Sequence, residues 1–216
     1  MVYNHRQKWH NGAIQETNVN HMINIIFTSN APRSGKDTAT RLLMSQFSYM
    51  HPIKITMAGP LYDAIGSLFG IDPNEWNELY EHEKDIPTTR LKGHSPRTAL
   101  QWLAEDVMKP TYGVAFFGEI AAQRATQARS GGHELAIVSD GGFIDELNAY
   151  VSAVGREDCY VISIIRHGPR EDTRSMITGY DLGVPNYVIY NTGTTSELHY
   201  SLSSIMVRIM RDRKNA

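Results

Sequence analysis

Two adjoining stretches decide the fold of this 216-residue chain: Ile23-Asn24-Ile25-Ile26-Phe27-Thr28-Ser29, then Asn30-Ala31-Pro32-Arg33-Ser34-Gly35-Lys36-Asp37-Thr38. The first is an apolar, β-branched run of the kind buried on both faces of a parallel sheet. The second approximates the phosphate-loop pattern G-x-x-x-x-G-K-[ST], which needs a strand before it and a helix after it. The helix is legible too. From Lys36 to Met50, the residues Ala39, Leu42, Leu43, Phe47 and Met50 recur on one face. Amides of such a loop and the positive helix end point at one spot, where an anion is favoured. Gly35 lets the backbone approach closely and Lys36 adds a point charge, so Arg33, Ser34, Gly35, Lys36, Asp37 and Thr38 are the expected phosphate contacts. Asn30 stands where the pattern has its first glycine, and asparagine tolerates left-handed dihedrals. Asp37 precedes the hydroxyl residue Thr38. Its acid either orients a magnesium-bound water or caps the helix.

Outward from this unit the chain keeps alternating. Ile53–Ala58 reads as a second strand and Pro60–Phe69 as a helix stopped at Gly70. Asp72-Pro73 opens a helix to about Glu83, and Asp85–His94 is a polar loop. Ser95-Pro96 opens another helix that buries Leu100, Leu103, Ala104 and Val107. A further helix spans Val114 to about Arg129. Leu135–Ser139 is a third strand tipped by Asp140, Ile144–Val154 a helix, and Cys159–Ile165 a fourth strand. Arg166–Val184 reads as a polar flap and Tyr187–Tyr190 as a fifth strand. Thr194 and Glu197 form a capping box for a last helix. Strands alternating with helices predict an α/β fold with a parallel sheet covered on both faces.

Composition excludes several classes. Hydrophobic residues make up 41% and charged residues 20%, an ordinary globular balance. Lys+Arg 21 against Asp+Glu 23 gives a net charge of -2, so no global basic field exists for nucleic acid or an anionic membrane. The single cysteine, Cys159, forms no internal disulfide, and no apolar run spans a membrane, so a cytoplasmic protein is expected. Residues Met1–His21, rich in Asn and His, read as a weakly ordered leader. Residues 22–216 then form one domain, with a helical region at about 60–130 and a lid at about 166–185.

Three further features carry possible chemistry. Arg97 and Gln101 lie four apart at a helix start, on one face, and Arg90 adds charge from the loop before. They suit a phosphate-bearing ligand and a base edge, or else a solvated helix start. Asp140 sits at the carboxyl end of a strand, where ligands bind in parallel sheets. It either serves a magnesium shell or caps the helix near Ile144. Arg166, Arg170 and Arg174, spaced by four, suit a lid closing over a polyphosphate, or else a solvated surface.

The loop APRSGKDT, the segment ITMAGPLYDAI, the helix SPRTALQWLAEDV, the turn IVSDGGFIDE and the strand end IIRHG occur in that order. Together they resemble the deoxynucleoside monophosphate kinases of large bacteriophages, within the P-loop nucleoside monophosphate kinase superfamily. The resemblance runs from about Ile23 to Val207. It implies a three-layer α/β/α fold with a five-stranded parallel sheet and a lid. It also implies transfer of the γ-phosphoryl of ATP to a deoxynucleoside monophosphate with Mg2+, in a monomer or homodimer of the cytoplasm (of the host, if phage-encoded). Lys36, Arg166 and Arg170 take catalytic places in that reading. Arg33 to Thr38 contact the donor, Asp37, Thr38 and Asp140 the metal, and Arg90, Arg97, Gln101 and Lys109 the acceptor. Gly59 and Tyr62 stand where the family has Asp and Lys, Lys109 near where it has Gly-Arg, and Gly142 in place of an arginine. A kinase for another small acceptor (a ribonucleotide or dephospho-coenzyme A) and a non-catalytic nucleotide-binding module are the alternatives.

Overall fold

The computed structural model describes residues 21–166 and 176–215. Most of the leader, Arg170 and Arg174 therefore lie outside the described residues. Five strands pair in parallel in the order β2-β3-β1-β4-β5: β1 (Ile23–Ser29), β2 (Ile53–Ile55), β3 (Leu135–Val138), β4 (Cys159–Ile165) and β5 (Asn186–Tyr190). The helices are α1 (Lys36–Gln46), α2 (Gly59–Phe69), α3 (Pro73–His82), α4 (Pro96–Gln101), α5 (Lys109–Tyr112), α6 (Phe116–Ser130), α7 (Ile144–Val154), α8 (Gly179–Leu182) and α9 (Thr195–Lys214).

Strand β1 is central and buried from Ile23 to Thr28, which its near-continuous apolar run requires. Side-chain alternation splits the core in two. Ile23, Ile25 and Phe27 pack with Leu43 of α1 and Leu202, Met206 and Ile209 of α9. Ile26 packs on the other face with Val138, Val161, Phe117 of α6 and Tyr150 of α7. The sheet thus has helices on both sides, the three-layer α/β/α arrangement expected. Helix α1 leaves β1 for one face, whereas α7 and α8 leave the neighbouring strands β3 and β4 for the other. Connections that part at the carboxyl ends of adjacent strands open a crevice there.

Four local expectations change. Strand β2 stops at Ile55 rather than Ala58, because the amides of Met57 and Ala58 turn to donate to the carboxylate of Asp140 at 2.9 and 3.0 Å. Helix α1 stops at Gln46, and a 3₁₀ turn at Ser48–Met50 leads to His51 at φ 46°. The helix begun at Ser95 widens to a π-helical stretch, Trp102–Met108, just before Pro110, whose missing N–H would break a regular ladder. The end of the expected flap is ordered as α8, held by a capping box of Thr178 and Asp181 and closed by Gly183 at φ 65°. Among the described residues no helix is long and apolar enough to cross a membrane.

Candidate phosphate-binding cleft

A cleft of about 690 Å³ opens at the carboxyl ends of the strands. Thr28, Ser29, Ser139 and Asp140 line its floor, the loop from Arg33 to Thr38 one side, and Tyr62, Tyr80 and Lys84 of the α2–α3 region are also in its lining. Among the described residues, five cationic ones line it (Arg33, Lys36, Lys54, Lys84 and Arg166) against two acids, Asp37 and Asp140. A chain of net charge -2 therefore gathers an excess of positive charge in one crevice.

The loop is shaped by backbone handedness. Arg33 (φ 60°) and Gly35 (φ 108°) both lie in the left-handed region on either side of Ser34. Alternating handedness turns successive amides toward a common centre. Glycine is required at position 35 for a second reason. A Cβ there would meet Nδ2 of Asn191 at 2.4 Å, and that amide donates to the Ser34 carbonyl at 2.8 Å. Asn191 thus clamps the loop from the end of β5. Gly35 is the N-cap of α1 and gives it no side-chain cap, which leaves the first amides of an eleven-residue helix for another acceptor. Ser34 is 1% exposed, and its Oγ is buried with no hydrogen-bond partner among the described residues. A buried orphan hydroxyl beside such amides fits a ligand oxygen. Lys36 Nζ donates to Ser29 Oγ at 2.5 Å, which places the ammonium at the carboxyl end of β1.

Asn30 serves the loop differently from expected. It does not adopt a positive φ. Its side chain spans to β4, accepting from the Arg166 amide at 3.1 Å and donating to the Arg166 carbonyl at 3.4 Å. Asn30 therefore ties the phosphate loop to the strand end from which Arg166 faces the cleft.

Asp140 lies open at the cleft, yet the protein packed around its carboxyl raises its pKa, against the pull of the Ala58 and Met57 amides and of Lys54. It caps the entry to α2 rather than the helix near Ile144; α7 begins at Ile144, and Phe143 before it supplies no side-chain cap. Asp37 is exposed in the first turn of α1, and Thr38 is half-buried beside it. Among the described residues no cluster of three His, Cys, Asp or Glu is placed to hold a metal alone.

The expected acceptor residues are not in the cleft lining. Arg97 pairs through Nε with Asp85 at 2.5 Å, and this bond, outweighing partial burial, raises its pKa. Arg90 pairs with Glu75 of α3 at 2.5 Å, and Gln101 is exposed. Lys109 is half-buried between Glu105 (2.8 Å) and Glu146 (3.1 Å), with its ammonium 3.7 Å from the centre of the Phe143 ring. Burial opposes the charge on Lys109, but its two carboxylate partners outweigh it and raise its pKa. Burial likewise raises Glu146, against the pull of Lys109. At Gly59, where the resembled pattern has an acid, a Cβ would meet Thr56 Oγ1 at 2.6 Å and Arg124 Nη1 at 2.8 Å, so both side chains would have to shift to admit one.

Lys54, Tyr80, Lys84 and Asn191 were not legible as site residues, and Tyr62 was legible only as a departure from the resembled pattern. Lys54 had one signal, as the only charge inside the apolar strand Ile53-Lys54-Ile55. Asn191 had another, its place directly after the last strand. No protein-family model matches the chain, and no curated protein matches it.

Proposed function

We propose that this chain is an ATP-dependent kinase of nucleoside monophosphates, with deoxynucleotides as the expected acceptors. One observation carries the reading: a strand–loop–helix turn with Gly35 left-handed, the Ser34 hydroxyl buried and orphaned, and Lys36 drawn to the end of β1. That combination is made for a phosphate chain rather than for a neutral ligand.

In this reading an oxygen of the acceptor phosphate attacks the γ-phosphorus of ATP. The bond from that phosphorus to the β,γ-bridging oxygen breaks, ADP leaves, and the acceptor becomes a diphosphate. No general base is needed, because the nucleophile is already an anionic oxygen. The protein contributes positioning and charge neutralisation, which carry most of the rate in phosphoryl transfer. Loop amides hold the donor phosphates, Lys36 follows the migrating group, and Arg33 and Arg166 offset charge from the cleft walls. Magnesium takes one or two carboxylates plus substrate phosphates, so Asp37, Thr38 and Asp140, all lining the cleft, fit a shell completed by the donor. When bound, the ion would supply Lewis-acid charge neutralisation for the donor phosphates.

The test is transfer of labelled γ-phosphate from ATP to a panel of deoxynucleoside and nucleoside monophosphates, for the wild type and Lys36→Ala. Labelled diphosphate from the wild type, with at least a hundredfold loss in the variant, supports the reading. ATP binding without transfer to any monophosphate would support a non-catalytic nucleotide-binding module instead.

A further inference from the structure

The residues that line the cleft from the α2–α3 region are Tyr62, which stands where the resembled family has a lysine, and Tyr80 and Lys84, which belong to no expected motif. The two tyrosine rings lie 5.0 Å apart, and buried Trp76 backs both, at 6.1 Å from Tyr62 and 6.4 Å from Tyr80. Three rings packed this way form a stiff wall that keeps its shape without ligand. Burial, then a hydrogen bond and the charge of Tyr80, raise the Tyr62 pKa, so its phenol stays neutral. Lys84 stands two residues past the end of α3 and is half-buried in the cleft wall, and no carboxylate lies within ion-pair distance of its ammonium among the described residues.

Arg97 lies near both tyrosines but is not part of the cleft lining. Its amide donates to the Lys84 carbonyl at 2.9 Å and its guanidinium pairs with Asp85 at 2.5 Å. Both contacts fix the chain at Lys84-Asp85. The start of α4 therefore sets where Lys84 stands, while its own arginine is occupied.

We propose that Lys84 and the Tyr62–Tyr80 wall, and not Arg97, anchor the acceptor, a phosphate monoester carried on a flat heterocycle. This rests on the kinase reading above. Lys84 takes the acceptor phosphate as a point charge, and the tyrosine wall takes the ring by stacking. Arg97 is a positioning residue for Lys84.

The experiment is calorimetric titration of deoxynucleoside monophosphates into the full chain saturated with a non-hydrolysable ATP analogue. It uses the wild type, Lys84→Ala, Arg97→Ala, the double variant, Tyr80→Ala and Tyr80→Phe. Affinity for the analogue stays within about twofold throughout. Lys84→Ala weakens monophosphate binding roughly 10- to 100-fold, the loss expected for a hydrogen bond to a charged group. The double variant binds no more weakly than Lys84→Ala, since Arg97 acts through Lys84. Tyr80→Ala weakens binding about tenfold or more, and Tyr80→Phe leaves it nearly unchanged. A Lys84→Ala protein that binds like the wild type, a double variant whose losses multiply, or an unaffected Tyr80→Ala protein overturns the assignment. So does a wild type that binds the analogue but no monophosphate, and the donor reading then stands alone. If the wild type fails to bind the analogue, the kinase reading fails. Monophosphate binding to the free chain then decides the anchor: lost in Lys84→Ala, it stands; absent from the wild type, it falls.

Discussion

Replacing Gly35 with alanine strikes two features at once, and the structure separates them. The backbone there sits at φ 108°, where a Cβ strains the chain by about 1–2 kcal/mol. The new methyl would also lie 2.4 Å from Nδ2 of Asn191. Asn191 must swing away and lose its 2.8 Å bond to the Ser34 carbonyl, worth about 1 kcal/mol. Gly35→Ala should therefore cost roughly 2–3 kcal/mol, or about 5–10 °C of melting temperature for a chain of this size. Asn191→Ala alone should cost about 1 kcal/mol, because it loses the same bond without the strain. The double variant should match Gly35→Ala, falling short of the additive sum by about 1 kcal/mol. Urea unfolding of the four proteins, with calorimetric titration of ATP, measures this. ATP affinity should fall in both proteins carrying Gly35→Ala, and less in Asn191→Ala. Strict additivity of the two substitutions, or a neutral Gly35→Ala, would refute the clamp between β5 and the phosphate loop.

Other perturbations probe the cleft's supports. Asp140→Asn keeps one acceptor for the Met57 and Ala58 amides and should destabilise by roughly 1.5 kcal/mol in urea unfolding, with slower turnover. Lys109→Met leaves Glu146 buried without its partner and should cost about 3 kcal/mol by the same measurement. Glu146→Gln tests the sign of pH linkage. Because the folded state raises the pKa of Glu146 above its ordinary 4.5, it holds the proton more tightly than the unfolded chain. The contribution of Glu146 to stability is then lost as pH rises from about 4.5 through the folded value. The variant should gain on the wild type across that rise, and a constant gap between the two would show that burial is not acting on this carboxyl.

The sheet was legible because its strands are short apolar runs and its helices open and close on strong local signals. Asp72-Pro73 caps α3 through its carboxylate, and Thr194 with Glu197 closes the capping box of α9, both readable from four residues of sequence. What failed depended on residues distant in the chain. The end of β2 is set by Asp140, 82 and 83 positions from the amides it binds, so no local pattern marks it. The phosphate loop was recognisable from Gly35 and Lys36. Its clamp was not, since Asn191 and Ser34 are 157 positions apart. Arg97 shows the opposite difficulty. A cation at a helix start reads as a ligand group, and only the position of Asp85 reveals that it is already paired.

The central claim is that the loop from Arg33 to Thr38 holds the phosphates of ATP for transfer. Single-turnover transfer of labelled γ-phosphate to deoxynucleoside monophosphates, run beside thermal melts of the wild type and Lys36→Ala, tests it most directly. The account predicts labelled diphosphate from the wild type and at least a hundredfold slower transfer by the variant at an unchanged melting temperature. A folded Lys36→Ala protein that transfers at the wild-type rate, or a wild type that forms no diphosphate from any monophosphate, would contradict it.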